Sequence, residues 1–208
     1  VLHPLYDNFG EAVPAAEARK RLGLPAEKKI ILFFGFIRKY KGLDLLLEAM
    51  KIAKDKAAAR AEEPPALLVA GEFYEDEKEY AEKIKALGIS DILIMKTAFI
   101  PDSEVRYYLS AANVVAQPYR NATQSGVTPL AYHFEKPMIV TNVGSLPAMA
   151  PHKKAGIVCE PAPAAIAAAI EEYFQLGENY FIPHLRSEKE KYSWSKLVEA
   201  LVEQAGHP

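Results

Sequence analysis

Residues 122–147 read ATQSGVTPLAYHFEKPMIVTNVGSLP, and this stretch decides the fold. A polar loop turns helical at about Gly126, with Ser125 placed to cap the helix, and Lys136-Pro137 close it. Residues 138–141, MIVT, form a short apolar run of strand type. The Gly-containing loop 142–147 follows at that strand's carboxyl end, where open α/β sheets bind ligands. The helix start offers free backbone N–H groups and the positive end of a dipole, a combination that suits an anion such as phosphate.

Working outward, strand runs alternate with helical patterns. Residues 29–35 (KIILFFG) are a continuous apolar run. The loop 36–42 (FIRKYKG) leads to a helix of about four turns with Leu43, Leu46, Leu47, Met50 and Ala53 on one face. Further strands are expected at 66–71, 91–95, 113–117 and 155–158. Helices are expected at 11–22, at 75–87, from Asp102-Ser103 as a capping pair to Ser110, and beyond Pro163. In the last of these, Ile166, Ile170 and Phe174 mark one face, Leu197 and Leu201 another. The alternation predicts a doubly wound, Rossmann-like α/β domain spanning residues 1–208. It has a parallel sheet of about six strands, helices on both faces and a helical tail over 177–208.

Composition narrows the function. The 208 residues are 50% hydrophobic and carry a formal charge of −2, from 25 basic and 27 acidic residues. That balance supplies no electrostatic case for nucleic acid. The apolar runs are strand-sized, well short of the roughly 20 residues of a membrane span. Cys159 is the single cysteine, so no internal disulfide or cysteine metal cluster is expected, and a reducing cytoplasm fits. No His, Cys and carboxylate group has metal-ligand spacing. Residues 1–6 (VLHPLY) read as the middle of a longer protein.

Arg38 and Lys41 follow a strand and precede a helix, so they can form a diphosphate clamp, though from spacing alone a solvated basic turn, which Lys39 also supports, is the plainer reading. Ser125, Gly126, Val127 and Thr128 offer amides and two hydroxyls to phosphate oxygens, the plainer alternative being simple N-capping. Glu72 ends a strand at the same rim. His133, between Tyr132 and Phe134, reads as a packed residue, and 75–77 (EDE) as an acidic helix start. Neither GxxxxGK[ST] nor GxGxxG occurs.

The ordered set GFIRKYKGLDLLLEAM (35–50), LLVAGEFYED (67–76), FIPDSEV (99–105), AANVVAQPY (111–119) and EKPMIVTNVGSLP (135–147) resembles the C-terminal, donor-binding domain of a group 1 glycosyltransferase of the GT-B fold. The resemblance implies a transferase of carbohydrate biosynthesis, hexosyltransferase in type. It would bind a UDP- or GDP-linked sugar and transfer it without metal or other cofactor, with retained configuration. The acceptor would sit on an N-terminal domain absent here, so these residues alone would be inactive. Peripheral attachment of the intact protein to the inner membrane face is compatible with the family.

By position, the resemblance gives Lys41 and Arg38 to the diphosphate, with Gly35 ending the strand before them. It gives residues 125–128 to the phosphates, and Lys96, Thr97 and Phe99 to the base. Two departures stand out. Phe36 occupies the usual arginine site, and the family's paired glutamates fall near Gln124 and at Ala131. Gln124 keeps hydrogen bonding to a sugar but offers no carboxylate. The alternative is a degenerate, non-catalytic module used for binding or assembly.

Overall fold

In the computed structural model of this chain, residues 9–192 are described. The expected features at residues 1–6, Leu197, Leu201 and the end of the helical tail lie outside them. Six strands form one parallel sheet: β1 (Ile30–Phe34), β2 (Ala66–Ala70), β3 (Leu93–Lys96), β4 (Val114–Gln117), β5 (Met138–Thr141) and β6 (Gly156–Cys159), in the order β3-β2-β1-β4-β5-β6. Strands buried on both faces read as continuous apolar runs, which is why they were visible in the sequence.

The two faces carry different helices. Alternation along the strands sends Ile30, Leu32, Leu68, Val115 and Val140 to one side. There they meet α1 (Ala15–Leu22), α4 (Asp102–Ala111) and α5 (Val127–His133). Ile31, Phe33, Leu67, Val69 and Ile139 face the other side, against α2 (Leu43–Ala59), α3 (Glu77–Leu87) and α7 (Pro163–Leu176). A short α6 (Leu146–Met149) follows β5. The last described helix, α8 (Glu178–Lys189), sends Phe181 to one core and Leu185 to the other.

Several element ends differ from expectation for local reasons. Helix α1 starts only at Ala15, after Pro14 in an extended conformation. Asp102 and Ser103 are not caps but the first residues of α4, behind Pro101. Helix α3 is capped by Asp76, whose carboxylate accepts from the Lys78 N–H at 2.9 Å, while Glu75 turns away to accept from the Lys39 N–H. Helix α5 ends at His133, ahead of Lys136-Pro137. There Glu135 takes a left-handed conformation, and the Lys136 N–H closes on the Ala131 carbonyl at 2.7 Å. The loop expected over 142–147 passes into α6 at Leu146.

Candidate functional site

Helix α2, which follows β1, covers one face, and α5, which follows the adjacent β4, covers the other. The loops after β1 and β4 therefore part at the topological switch point, where doubly wound sheets bind ligands. A cleft of about 350 Å³ opens there. Its walls are the end of β1 (Phe34–Phe36), Tyr40 and Lys41, Gly71 and Glu72 after β2, the start of α4, and residues 124–127 with Leu130.

Lys41 is the only lysine or arginine among the described residues lining this cleft. It ends a 3-10 turn, Lys39–Lys41, and is only 8% exposed. Its Nζ lies 5.9 Å from the centre of the Tyr119 ring. No carboxylate among the described residues pairs with it. Burial first, and then the nearby Arg38 charge, lower its pKa to about 8. Gly42 sets the position of the turn. It is left-handed (φ +67°), and a Cβ there would stand 2.0 Å from the Pro118 carbonyl oxygen, so only glycine lets the turn sit against the end of β4.

Opposite Lys41, the 125–128 segment is fixed from beneath. Gln117 at the end of β4 is fully buried, and its Oε1 accepts from the Ser125 hydroxyl at 2.6 Å and the Thr128 hydroxyl at 3.1 Å. Ser125 Oγ accepts from the Val127 N–H at 3.2 Å, and the Tyr119 hydroxyl lies 3.3 Å away. Burial raises the Tyr119 pKa, keeping the phenol neutral. The expectation that both hydroxyls point at a ligand is corrected: each donates to Gln117, and Thr128 has no exposure at all.

Of the residues expected at the site, the cleft brings together Gly35, Lys41, Glu72, Phe99, Gln124, Ser125, Gly126 and Val127. Arg38, Lys96, Thr97 and Thr128 are not on its wall. Arg38 points out from the rim, its guanidinium 5.0 Å from the centre of the Tyr74 ring, because its neighbour Ile37 is drawn into the core. On α5 the cleft is met by Val127 and Leu130, whereas Ala131 packs wholly in the core. No carboxylate comes from this helix. Asp102 and Glu72 are the acids on the wall.

Tyr119 and Gln117 were missed in the sequence, although a Gln directly after the apolar residues 114–116 is a signal of a buried polar anchor. His133 is half-buried, with Nε2 2.7 Å from the Gly10 carbonyl oxygen, a packing role as expected. Cys159 is half-buried rather than buried, and burial raises its pKa to about 12. No group of three His, Cys, Asp or Glu among the described residues could hold a metal ion, and no described helix is long and apolar enough to cross a membrane.

Fold and cleft define a doubly wound α/β domain with a cleft at its switch point that the buried Lys41 lines. The family model described as glycosyl transferases group 1 matches residues 15–185, and the chain belongs to that family.

Similar proteins include the D-inositol 3-phosphate glycosyltransferase of Streptomyces bingchenggensis (strain BCW-1), 31% identical over 163 residues that are 76% of this chain and 36% of the relative. The enzyme of the same name from Thermobispora bispora is 28% identical over 159 residues, 74% of this chain and 36% of the relative. The chain thus spans little more than a third of these relatives' length. Among solved structures, sucrose-phosphate synthase from Thermosynechococcus elongatus superposes with a TM-score of 0.79 at 20% identity, covering 98% of this chain and 50% of that one. Anabaena HepE, solved with UDP-glucose, gives 0.79 at 16% identity, over 98% and 57%. The C-terminal domain of a group 1 glycosyl transferase from Francisella tularensis gives 0.74 at 20% identity, over 90% of this chain and 97% of that one. These likenesses establish the fold, a Rossmann-like sheet shared with GT-B glycosyltransferases.

Proposed function

We propose that this chain is the donor half of a two-domain glycosyltransferase, binding a nucleotide-diphosphate sugar in the switch-point cleft. The observation that carries this reading is the Lys41 ammonium: buried, unpaired with any described carboxylate, and facing the 124–127 loop across the cleft. A buried cation without a counter-charge is costly, and an anionic ligand removes that cost. The UDP-glucose bound by Anabaena HepE makes a diphosphate sugar the natural candidate.

In the transfer step the bond between the sugar's anomeric carbon and the diphosphate oxygen breaks as an acceptor hydroxyl oxygen bonds to that carbon, and negative charge grows on the leaving diphosphate, which takes up the hydroxyl proton. Lys41 stabilises that charge directly, so this step needs no metal. Gln124, on the cleft wall, offers the sugar a neutral amide in this reading. Transfer with retained configuration, to an acceptor held by an N-terminal domain, completes the reading.

Calorimetric titration with UDP, GDP and ADP, with Lys41→Ala as control, tests the proposal. One nucleotide should bind, with affinity falling at least about tenfold in the variant, the loss of a charged hydrogen bond. Saturation at 100 times Kd should add about 2.7 kcal/mol of stability. Equal affinity in a folded variant would refute the clamp.

A specific observation favours a second reading. With Leu130 on the cleft wall and Ala131 in the core, α5 supplies no carboxylate to the ribose or the sugar. A donor site without turnover would follow. Assay of the intact protein with a saccharide acceptor separates the two readings, since only the first gives glycosylated product.

A further inference from the structure

Two facing walls of the cleft come from different loops, one after β1 and one after β4. Lys41 stands on the first and residues 124–127 on the second, so their separation depends on what ties loop to loop. Three of the ties are backbone or ring contacts. The Arg120 N–H donates to the Tyr40 carbonyl at 2.7 Å, Gly42 lies against the Pro118 carbonyl, and the Tyr40 and Tyr119 rings meet edge to face with centroids 6.0 Å apart. The fourth is an ion pair. The Arg120 guanidinium donates to Oδ2 of Asp44, the second residue of α2 and three residues beyond Lys41. Among the described residues it is the one ion pair that joins the Lys41 side of the cleft to the loop after β4.

Exposed ion pairs usually matter little, because water screens both partners. This pair differs on the aspartate side. Asp44 is half-buried, and its Oδ1 is shut off from solvent with no hydrogen-bond partner among the described residues. Arg120 is then the group that answers the charge, assisted by the N-terminal end of α2. Without Arg120 the carboxylate must turn out to water, and the start of α2 moves with it, together with the 3-10 turn that carries Lys41. Neither Arg120 nor Asp44 lines the cleft.

We infer that Arg120 and Asp44 are positioning residues, whose ion pair latches the Lys41 turn to the loop after β4 and so fixes the span between the Lys41 ammonium and residues 124–127. They act through Lys41 and touch no ligand themselves. The inference rests on the proposed reading of the cleft as a nucleotide-diphosphate site, since that span is what a diphosphate would have to match.

The test reads Lys41 itself. Its pKa is about 8 because it is buried, and the charged neighbour that adds to the effect is Arg38. An opened latch lets Lys41 into water. NMR titration of the lysine Cε and Nζ resonances, with Lys41→Met to assign the signal, should therefore find it titrating above about pH 9 in both Arg120→Ala and Asp44→Ala. Loss of a nearby charge alone would move the two variants in opposite directions, since removing a cation raises the value and removing a carboxylate lowers it. A general loss of stability moves neither. UDP affinity should fall about tenfold in each variant, and the double variant should lose no more than either one. Arg120→Lys, which keeps the charge, should recover part of the affinity. Opposite shifts, or an unmoved titration in folded variants, overturns the latch. So does UDP affinity that stays within about twofold of a binding parent in both alanine variants. If UDP, GDP and ADP all fail to bind the parent, the nucleotide reading of the cleft is refuted, and the Lys41 titration alone decides the latch.

Discussion

The Lys41 ammonium lies directly over Gly35: a Cβ on that glycine would stand 3.1 Å from Nζ. The strand-ending glycine is therefore the floor on which the buried cation rests. It is also left-handed, at φ +89°. A side chain at this position meets two penalties, strain in the backbone and displacement of Lys41, the one cation that the described residues put on the cleft wall.

Gly35→Ala should accordingly lose about 1–3 kcal/mol of stability from the positive φ. Binding is the second readout: Nζ, at the end of a flexible side chain, must give by only a few tenths of an ångström, so nucleotide-diphosphate affinity should fall by about twofold to fivefold. Urea melts and calorimetry of the same preparation check both. A folded variant that binds like the parent would show that Lys41 does not need this floor.

The Gln117 anchor makes a second prediction. Ser125→Ala removes a hydroxyl that donates to Gln117 and accepts from Val127, and should cost about 1–3 kcal/mol. Thr128→Val removes one hydroxyl from an otherwise apolar site and should cost about 1 kcal/mol. Both act through one acceptor, so the double variant should depart from additivity by at least about 0.5 kcal/mol. Additive losses in a urea-melt cycle would mean that Gln117 Oε1 does not couple the two hydroxyls.

Much of this architecture was legible in the sequence. Residues 29–35, 66–71 and 138–141 are apolar runs that only a doubly buried strand explains, and their alternation with helices fixed the doubly wound fold. A cleft opens where the loops after β1 and β4 were expected to meet, because that meeting follows from strand order rather than from any one side chain. What stayed hidden was side-chain direction. Arg38 and Lys41 are equivalent as letters, but pairing of Ile37 with Phe73 turns Arg38 onto the rim, while the 3-10 turn folds Lys41 inward. Ser125 and Thr128 read as phosphate ligands because nothing in a one-dimensional string shows Gln117 lying beneath them. Motif alignment placed a cleft residue at Ala131, and the helix phase puts Leu130 there instead.

Lys41 also makes the site sensitive to pH. Its folded-state pKa, about 8, lies below the ordinary value of 10.5, because burial and then Arg38 disfavour the charge. The sign follows from that order. Below about pH 8 the folded protein carries the full penalty of a buried charge, on the order of 3 kcal/mol, and the penalty fades as pH rises from 8 towards 10.5, where the unfolded chain also loses its proton. Lys41→Met, which keeps the stem and removes the charge, should therefore be more stable than the parent at pH 6–7, with the gap closing above pH 8. The same variant should lose nucleotide-diphosphate binding, a trade of stability for function. An anion seated on Lys41 restores the charged form, so binding near pH 8.5 should take up a fraction of a proton that binding at pH 6.5 does not. Calorimetry in two buffers of different ionisation enthalpy measures that uptake. A stability gap that is flat in pH, with no proton uptake at pH 8.5, would place the titrating charge somewhere other than Lys41.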